Sequence, residues 1–245
     1  MQASLDNQVM TNPSAAQNLP DGLILGLESS GAHASVAIIQ NHQVINQLVR
    51  HEKHGHAVYF VDMAADCLAE AGFKFTDLTA IAAGIGPGSF TGLRTCLSAA
   101  KGFVLAGDIE AWGINGLRAR AFALHHLYAK DKKTLPEVII ATADTRRGPY
   151  FWQAFDAALN PLGSIQEAEP QEIASQAHSL YPDGQPIIAL DAAKEGCHHE
   201  DGYEVIDMFA KDIGLLAAQD RQAGMTPLGL EPLYVAQPKL GPSVA

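Results

Sequence analysis

Apolar positions along the chain fall into short unbroken runs and longer periodic ones, and the two kinds alternate. "LILGLE" (Leu23 to Glu28), "HASVAIIQ" and "QVINQLVR" have strand length and are separated by "SSGA" and by Asn41-His42. Asn41-His42 suits a two-residue hairpin loop, so the three runs predict an antiparallel meander. The period then changes. In "HAVYFVDMAADCLAEAG", Tyr59, Met63 and Cys67 recur at four-residue spacing, as do Phe60, Ala64 and Leu68, and the run stops at Gly72. That pattern predicts a helix. "TAIAAG" follows as a buried strand, "FTGLRTCLSAAKGFVLAG" as a helix ending at Gly107, "IEAWGI" as a strand and "NGLRARAFALHHLYA" as a third helix.

The order βββαβαβα predicts a mixed sheet with helices on its faces, an α/β fold. "EVIIATAD" (Glu137 to Asp144) starts the pattern again. "YFWQAFD" and "LGSIQEA" extend a second meander. A helix near Gln171 to Tyr181, the strand "PIIAL" and a helix near Met208 to Ala223 complete a shorter copy. The charged stretch "KDKKTLP" breaks the apolar pattern between the copies. The chain thus divides into 1–22, a tail rich in Asn, Gln, Ser and Ala that is expected to be disordered, a lobe over 23–130 and a lobe over 131–245.

Composition adds limits. With 245 residues, 47% of them hydrophobic, the chain can build a real core in one large domain or two small ones. A net charge of −11 argues against free nucleic acid as a sole partner, because phosphate binding draws on a basic surface. The first basic residue is Arg50, so the start carries no charged leader, and no apolar run spans a bilayer. Cys67, Cys96 and Cys197 are scattered without C-x-x-C. These features lead us to expect a cytoplasmic protein without membrane contact.

The densest chemical signal is "GIGPGSFTGLR" (Gly84 to Arg94), a glycine-rich turn between strand and helix. A Walker A loop would need a lysine in register, and a dinucleotide loop would need glycine at Ser89 or Thr91. Both matches fail. The turn reads as a corner whose glycines permit positive φ, with Ser89 capping the following helix. The helix N-terminus leaves a weak anion site at Ser89. None of the ten histidines has an H-x-x-x-H partner, and Cys197-His198-His199 fits no zinc spacing, so no metal site is expected. G-x-S-x-G is absent too, since Phe90 stands where glycine is required.

Two βββαβα lobes resemble the two-lobe actin-like ATPase (ribonuclease H-like) fold of actin, Hsp70 and sugar kinases. Four stretches narrow the likeness: "ILGLESSGAHASVAI", "GIGPGSFTGLRTCLSAAKGFVLAG", "DTRRGPYFWQAF" and "EPLYV". Together, across Leu23 to Val235, they resemble the TsaB (YeaZ) family of the bacterial machinery for threonylcarbamoyladenosine at adenosine 37 of tRNA. The resemblance implies a non-catalytic assembly subunit. It would bind a catalytic TsaD-like subunit, work with a TsaE-like ATPase subunit and touch tRNA only through the complex. It would hold no cofactor of its own, ATP being used by the complex, and could form a homodimer when alone. Members pair with TsaD through their first two helices. That points to Tyr59, Met63 and Cys67 on the first helix and to Leu93, Leu97 and Ala100 on the second. Arg146 and Arg147 of the "DTRRG" turn suit a carboxylate or phosphate group.

In this superfamily "ESSGAHAS" (Glu28 to Ser35) stands at the first phosphate loop. Glu28 would hold a metal-bound water there and Ser29 and Ser30 would touch phosphate; alternatively the stretch is only a hairpin turn. Two bulky arginines occupy the second phosphate-loop position, and Asp191-Ala192-Ala193 stands where a glycine pair would face adenosine. An ATP site of the chain's own is therefore incomplete. The alternative function is a stand-alone ATP-dependent transferase or glycoprotease-like peptidase of the same fold. A tRNA-binding module would require a basic stripe.

Overall fold

The computed structural model describes residues 22–51, 56–145, 148–182, 186–191 and 203–235. The chain opens with β1 (Leu23–Glu28), β2 (Ala34–Gln40) and β3 (Gln43–Arg50), followed by α1 (His56–Glu70), β4 (Leu78–Gly86), α2 (Phe90–Gly107), β5 (Glu110–Asn115) and α3 (Gly116–Lys130). The second half repeats the scheme with β6 (Val138–Asp144), β7 (Tyr150–Asp156), β8 (Gln166–Ala168), α4 (Pro170–Leu180), β9 (Ile187–Leu190), β10 (Tyr203–Val205) and α5 (Ala210–Gln222).

The strands form two five-stranded sheets, ordered β3-β2-β1-β4-β5 and β10-β9-β6-β7-β8. In each, the first strand of the half is central. It pairs antiparallel with the meander on one side and parallel with the crossover strand on the other. β1 and β6 are buried along their whole length, as strands covered on both faces must be, and their sequences are correspondingly apolar. The Asn41-His42 loop is a two-residue hairpin: Gln40 pairs with Gln43, and both loop residues have positive φ, 50° and 56°.

The helices are distributed in a way the element order does not reveal. α1 and α2 cover one face of the first sheet. α5, from the second half, crosses back to cover the other face, against β1 and β2, and α3 leaves its own lobe to lie on β6. α3 and α5 also touch each other, forming a helical layer between the sheets. Ile24, Ala37 and Ile39 of the first sheet share one core with Leu117, Leu124, Ile213 and Leu216 of these helices and with Ile139 and Phe155 of the second sheet. The segment boundary near residue 130 separates the sheets but not the helices. The approach of α5 is close: a Cβ at Gly26, mid-strand in β1, would stand 2.4 Å from the Ala210 carbonyl oxygen.

Candidate functional site

The glycine turn after β4 packs directly on the turn after β1. Ser29 Oγ donates to the Gly92 carbonyl at 2.8 Å, and the Ser89 amide donates to the Ser30 carbonyl at 2.8 Å. The glycines are spaces filled by this contact. A Cβ at Gly84 would lie 1.8 Å from Glu28 Oε2, one at Gly88 2.7 Å from the Ser30 carbonyl oxygen and one at Gly92 1.9 Å from the Ser29 carbonyl oxygen. Of these turn glycines only Gly86 has a positive φ, 95°. Ser89 caps α2 as expected, its Oγ accepting the Gly92 amide at 3.3 Å.

Glu28 is therefore turned into the protein. Its Oε1 accepts both the amide and the hydroxyl of Ser30, and its buried Oε2 has no hydrogen-bond partner among the described residues. Burial raises its pKa above the ordinary 4.5; the Ser30 hydrogen bonds and the Arg120 charge pull the other way. Beneath it, burial pushes the Cys96 thiol well above its ordinary value, and on α1 it pushes Cys67 up to about 12. Neither thiol supplies a thiolate nucleophile.

Across the helical layer, Arg120 of α3 is buried and pairs with Asp191 at the end of β9, Nη2 to Oδ2 3.2 Å. A second fork nitrogen donates to the Ile206 carbonyl. Asp191 Oδ2 also accepts the Asp144 amide at 3.1 Å, and the Asp191 amide donates to Thr142 Oγ1 at 3.1 Å. The ends of β6 and β9 are thus laced to each other and to α3. Sequence reasoning missed Arg120 and missed the pairing of Asp191. The signal was available: a charged residue inside the apolar helix "LRARAFAL" demands a buried partner.

The residues expected to anchor a partner require correction. Met63, Cys67, Leu93, Leu97 and Ala100 are all buried in the chain's own core, with Phe60, Ala64 and Leu68. Tyr59 is half-buried and lies under the Arg50 guanidinium, 4.1 Å from its ring centre. The two apolar rows of α1 are offset by one residue, so they form a single broad face rather than two. That face fills the space against β2, β3 and α2. Arg146 and Arg147 lie outside the described residues, as does Cys197-His198-His199.

What these helices do present outward is different. α1 exposes Val61, Ala65 and Ala69 at four-residue spacing, beside Asp62, Asp66 and Glu70. α2 exposes Ser98, Gly102 and Ala106 at the same spacing, with Arg94, Lys101 and Leu105, the last 88% exposed. A Cβ at Gly102 would meet nothing within 4 Å. Small residues at this spacing let another helix come close, and the charges are acidic on α1 and basic on α2.

By its sheets and interleaved helices the chain is a two-lobe α/β protein with a mixed five-stranded sheet in each half. It belongs to the family whose model is described as TsaD, tRNA N6-adenosine threonylcarbamoyltransferase, which matches residues 39–219. Two curated relatives illustrate the likeness. One is the tRNA threonylcarbamoyladenosine biosynthesis protein TsaB of Escherichia coli K12, 28% identical over 146 residues, 60% of this chain and 60% of the relative. Another is the tRNA N6-adenosine threonylcarbamoyltransferase of Granulibacter bethesdensis, 32% identical over 125 residues, 44% of this chain and 34% of the relative. The match thus spans less than two thirds of either relative. Among solved structures, YeaZ from Pseudomonas aeruginosa superposes with a TM-score of 0.63 at 21% identity, over 87% of this chain and 100% of that one. A P. aeruginosa protein described as similar to peptidase YEAZ gives 0.66 at 19%, covering 88% and 100%. The recognition of TsaB (YeaZ) from the sequence motifs and the expected fold are both borne out.

Proposed function

We propose that the chain is a non-catalytic subunit in the synthesis of threonylcarbamoyladenosine in tRNA, holding a TsaD-like catalytic chain in its active form. The observation that carries this reading is the filled glycine turn. Glu28, Ser29 and Ser30 pack so closely on Gly84, Gly88 and Gly92 that not even a Cβ fits between the two turns, and a phosphate is larger. On the opposite lobe, Asp191 is engaged by Arg120 at the end of β9. The similarity to TsaB over 146 residues supports the same reading.

The partner docks on the outward faces of α1 and α2, where the exposed Val61, Ala65, Ser98, Gly102 and Leu105 meet a second helical pair. It carries basic groups toward α1 and acidic groups toward α2. A TsaE-like ATPase joins the complex and uses the ATP, tRNA is engaged through the assembly, and the free chain pairs with itself on the same face. The complex works in the cytoplasm; among the described residues no helix is long and apolar enough to cross a membrane.

Co-expression with the TsaD-like chain of the same genome tests the proposal. A one-to-one complex is expected, together with loss of the modified nucleoside when this chain is deleted. Saturable Mg-ATP binding by the isolated chain at micromolar concentration, or peptide hydrolysis by it, would favour the stand-alone enzyme instead.

A further inference from the structure

His33 and His51 are 18 residues apart in sequence, so no ligand-spacing rule draws attention to them. The hairpin brings them together. β2 and β3 pair with Ala34 opposite Arg50, and the next positions outward are His33 and His51. Their Nδ1 atoms are 2.9 Å apart, and the rings meet edge to face with centroids 4.3 Å apart. On its other side His33 stacks on Phe209, the residue before α5, at 5.7 Å and 20°. The imidazole is thus positioned by the fold rather than by the neighbour it faces.

Without a ligand, one Nδ1 carries the proton and donates it to the other. With both rings in the Nε2–H form, the two Nδ1 lone pairs converge on a single point. Nitrogen ligands stand about 2.0–2.1 Å from a divalent metal, which puts two of them ~2.9 Å apart at a right angle and ~3.4 Å apart at the tetrahedral angle. The observed separation is the right-angle one. Right angles belong to octahedral and tetragonal coordination, and imidazole suits nickel and copper ions. The geometry points to a surface site for a divalent ion of the nickel–copper class, held by Nδ1 of His33 and Nδ1 of His51. Among the described residues no group of three or more ligating side chains is found, so these two imidazoles are the ligands that the described structure supplies. This site is independent of the proposed partner function and lies on a different part of the first lobe.

The test is calorimetric titration of nickel chloride into the full chain, free of any histidine tag. The wild type is expected to take up one equivalent. His33→Phe, which keeps a ring against Phe209, and His51→Ala are each expected to weaken binding by roughly tenfold or more, because one of two protein ligands is gone. The double variant His54→Ala/His56→Ala is expected to bind like the wild type. Three results would overturn the site: no saturable uptake by the wild type, unchanged binding in folded His33→Phe, or loss of binding in the His54/His56 variant. If His33→Phe does not fold by circular dichroism, the remaining two variants decide: loss with His51→Ala and retention in the double variant support the site, and any other result removes it.

Discussion

Arg118 of α3 and Asp220 of α5, 102 positions apart in sequence, face each other as a two-pronged ion pair, Nη1 to Oδ2 2.5 Å and Nη2 to Oδ1 2.8 Å. The Nε of the same guanidinium donates to the Leu159 carbonyl at 3.2 Å, in the turn after β7. One side chain therefore ties together both central helices and the second sheet. Removing one charge strands the other in a mostly buried setting. Arg118→Met or Asp220→Leu should cost about 3 kcal/mol, the lower end for a broken buried pair, because the Arg118 side chain keeps 19% exposure. The double replacement should recover much of that loss, read by urea denaturation.

The filled glycine turn predicts a graded series. Gly84→Ala and Gly92→Ala place a methyl within 2 Å of Glu28 Oε2 and of the Ser29 carbonyl oxygen, whereas Gly31→Ala meets nothing within 4 Å. The first two should lose roughly 1–3 kcal/mol, and Gly31→Ala should stay within roughly 0.5 kcal/mol of the wild type. Adding Glu28→Ala should relieve Gly84→Ala but not Gly92→Ala, since only the former contact is with a side chain. Equal relief in both would show that the turn is not packed as described.

On the outer face of α2, one substitution should move stability and partner binding in opposite directions. Gly102 is exposed, mid-helix and faces open space. Gly102→Gln should stabilise the isolated chain by roughly 0.5–1 kcal/mol through helix propensity. The same side chain would hold a partner helix away, so pull-down of a TsaD-like chain should fail. Met63→Asp and Leu97→Asp, by contrast, should unfold the protein, because both sites are core. A Gly102→Gln chain that binds normally would remove α2 from the interface.

Glu28 makes stability depend on pH with a defined sign. Its folded-state pKa is raised by burial above the ordinary 4.5, so the folded protein holds the proton more tightly than the unfolded chain. Its favourable contribution is complete below the unfolded value and is lost as pH rises through the folded one. Glu28→Gln keeps an acceptor for Ser30 and removes the titration. The variant should therefore gain on the wild type as pH rises above 4.5, with a constant difference below it, as read from melting curves in a pH series. A difference independent of pH would mean that Glu28 is not desolvated.

What the sequence disclosed follows from how local each cause is. β1 and β6 were legible because central strands are continuously apolar, Asn41-His42 because turn chemistry is local, and Ser89 because a cap acts within three residues. β10 was not, being three residues long and seated at a sheet edge. The glycine turn was read as a need for positive φ, which holds at Gly86 alone among Gly84, Gly86, Gly88 and Gly92. The rest serve a contact with a segment some 60 residues away in the chain, which no local pattern encodes. The α1 and α2 anchors were misplaced because a broad apolar face reads alike whether it is buried by its own sheet or displayed to a partner.

The placement of α5 has a consequence for how the protein is made. On the ribosome, every strand of the first sheet emerges before residue 131, yet the helix that closes its second face spans Ala210–Gln222. Until that helix is synthesised, Ile24, Ala37 and Ile39 have no cover from it. The two halves therefore cannot mature one after the other as beads on a string; the first sheet must wait for α5. A stop codon placed between the lobes would leave a sticky half-sandwich, a substrate for chaperones and proteases rather than a smaller working module.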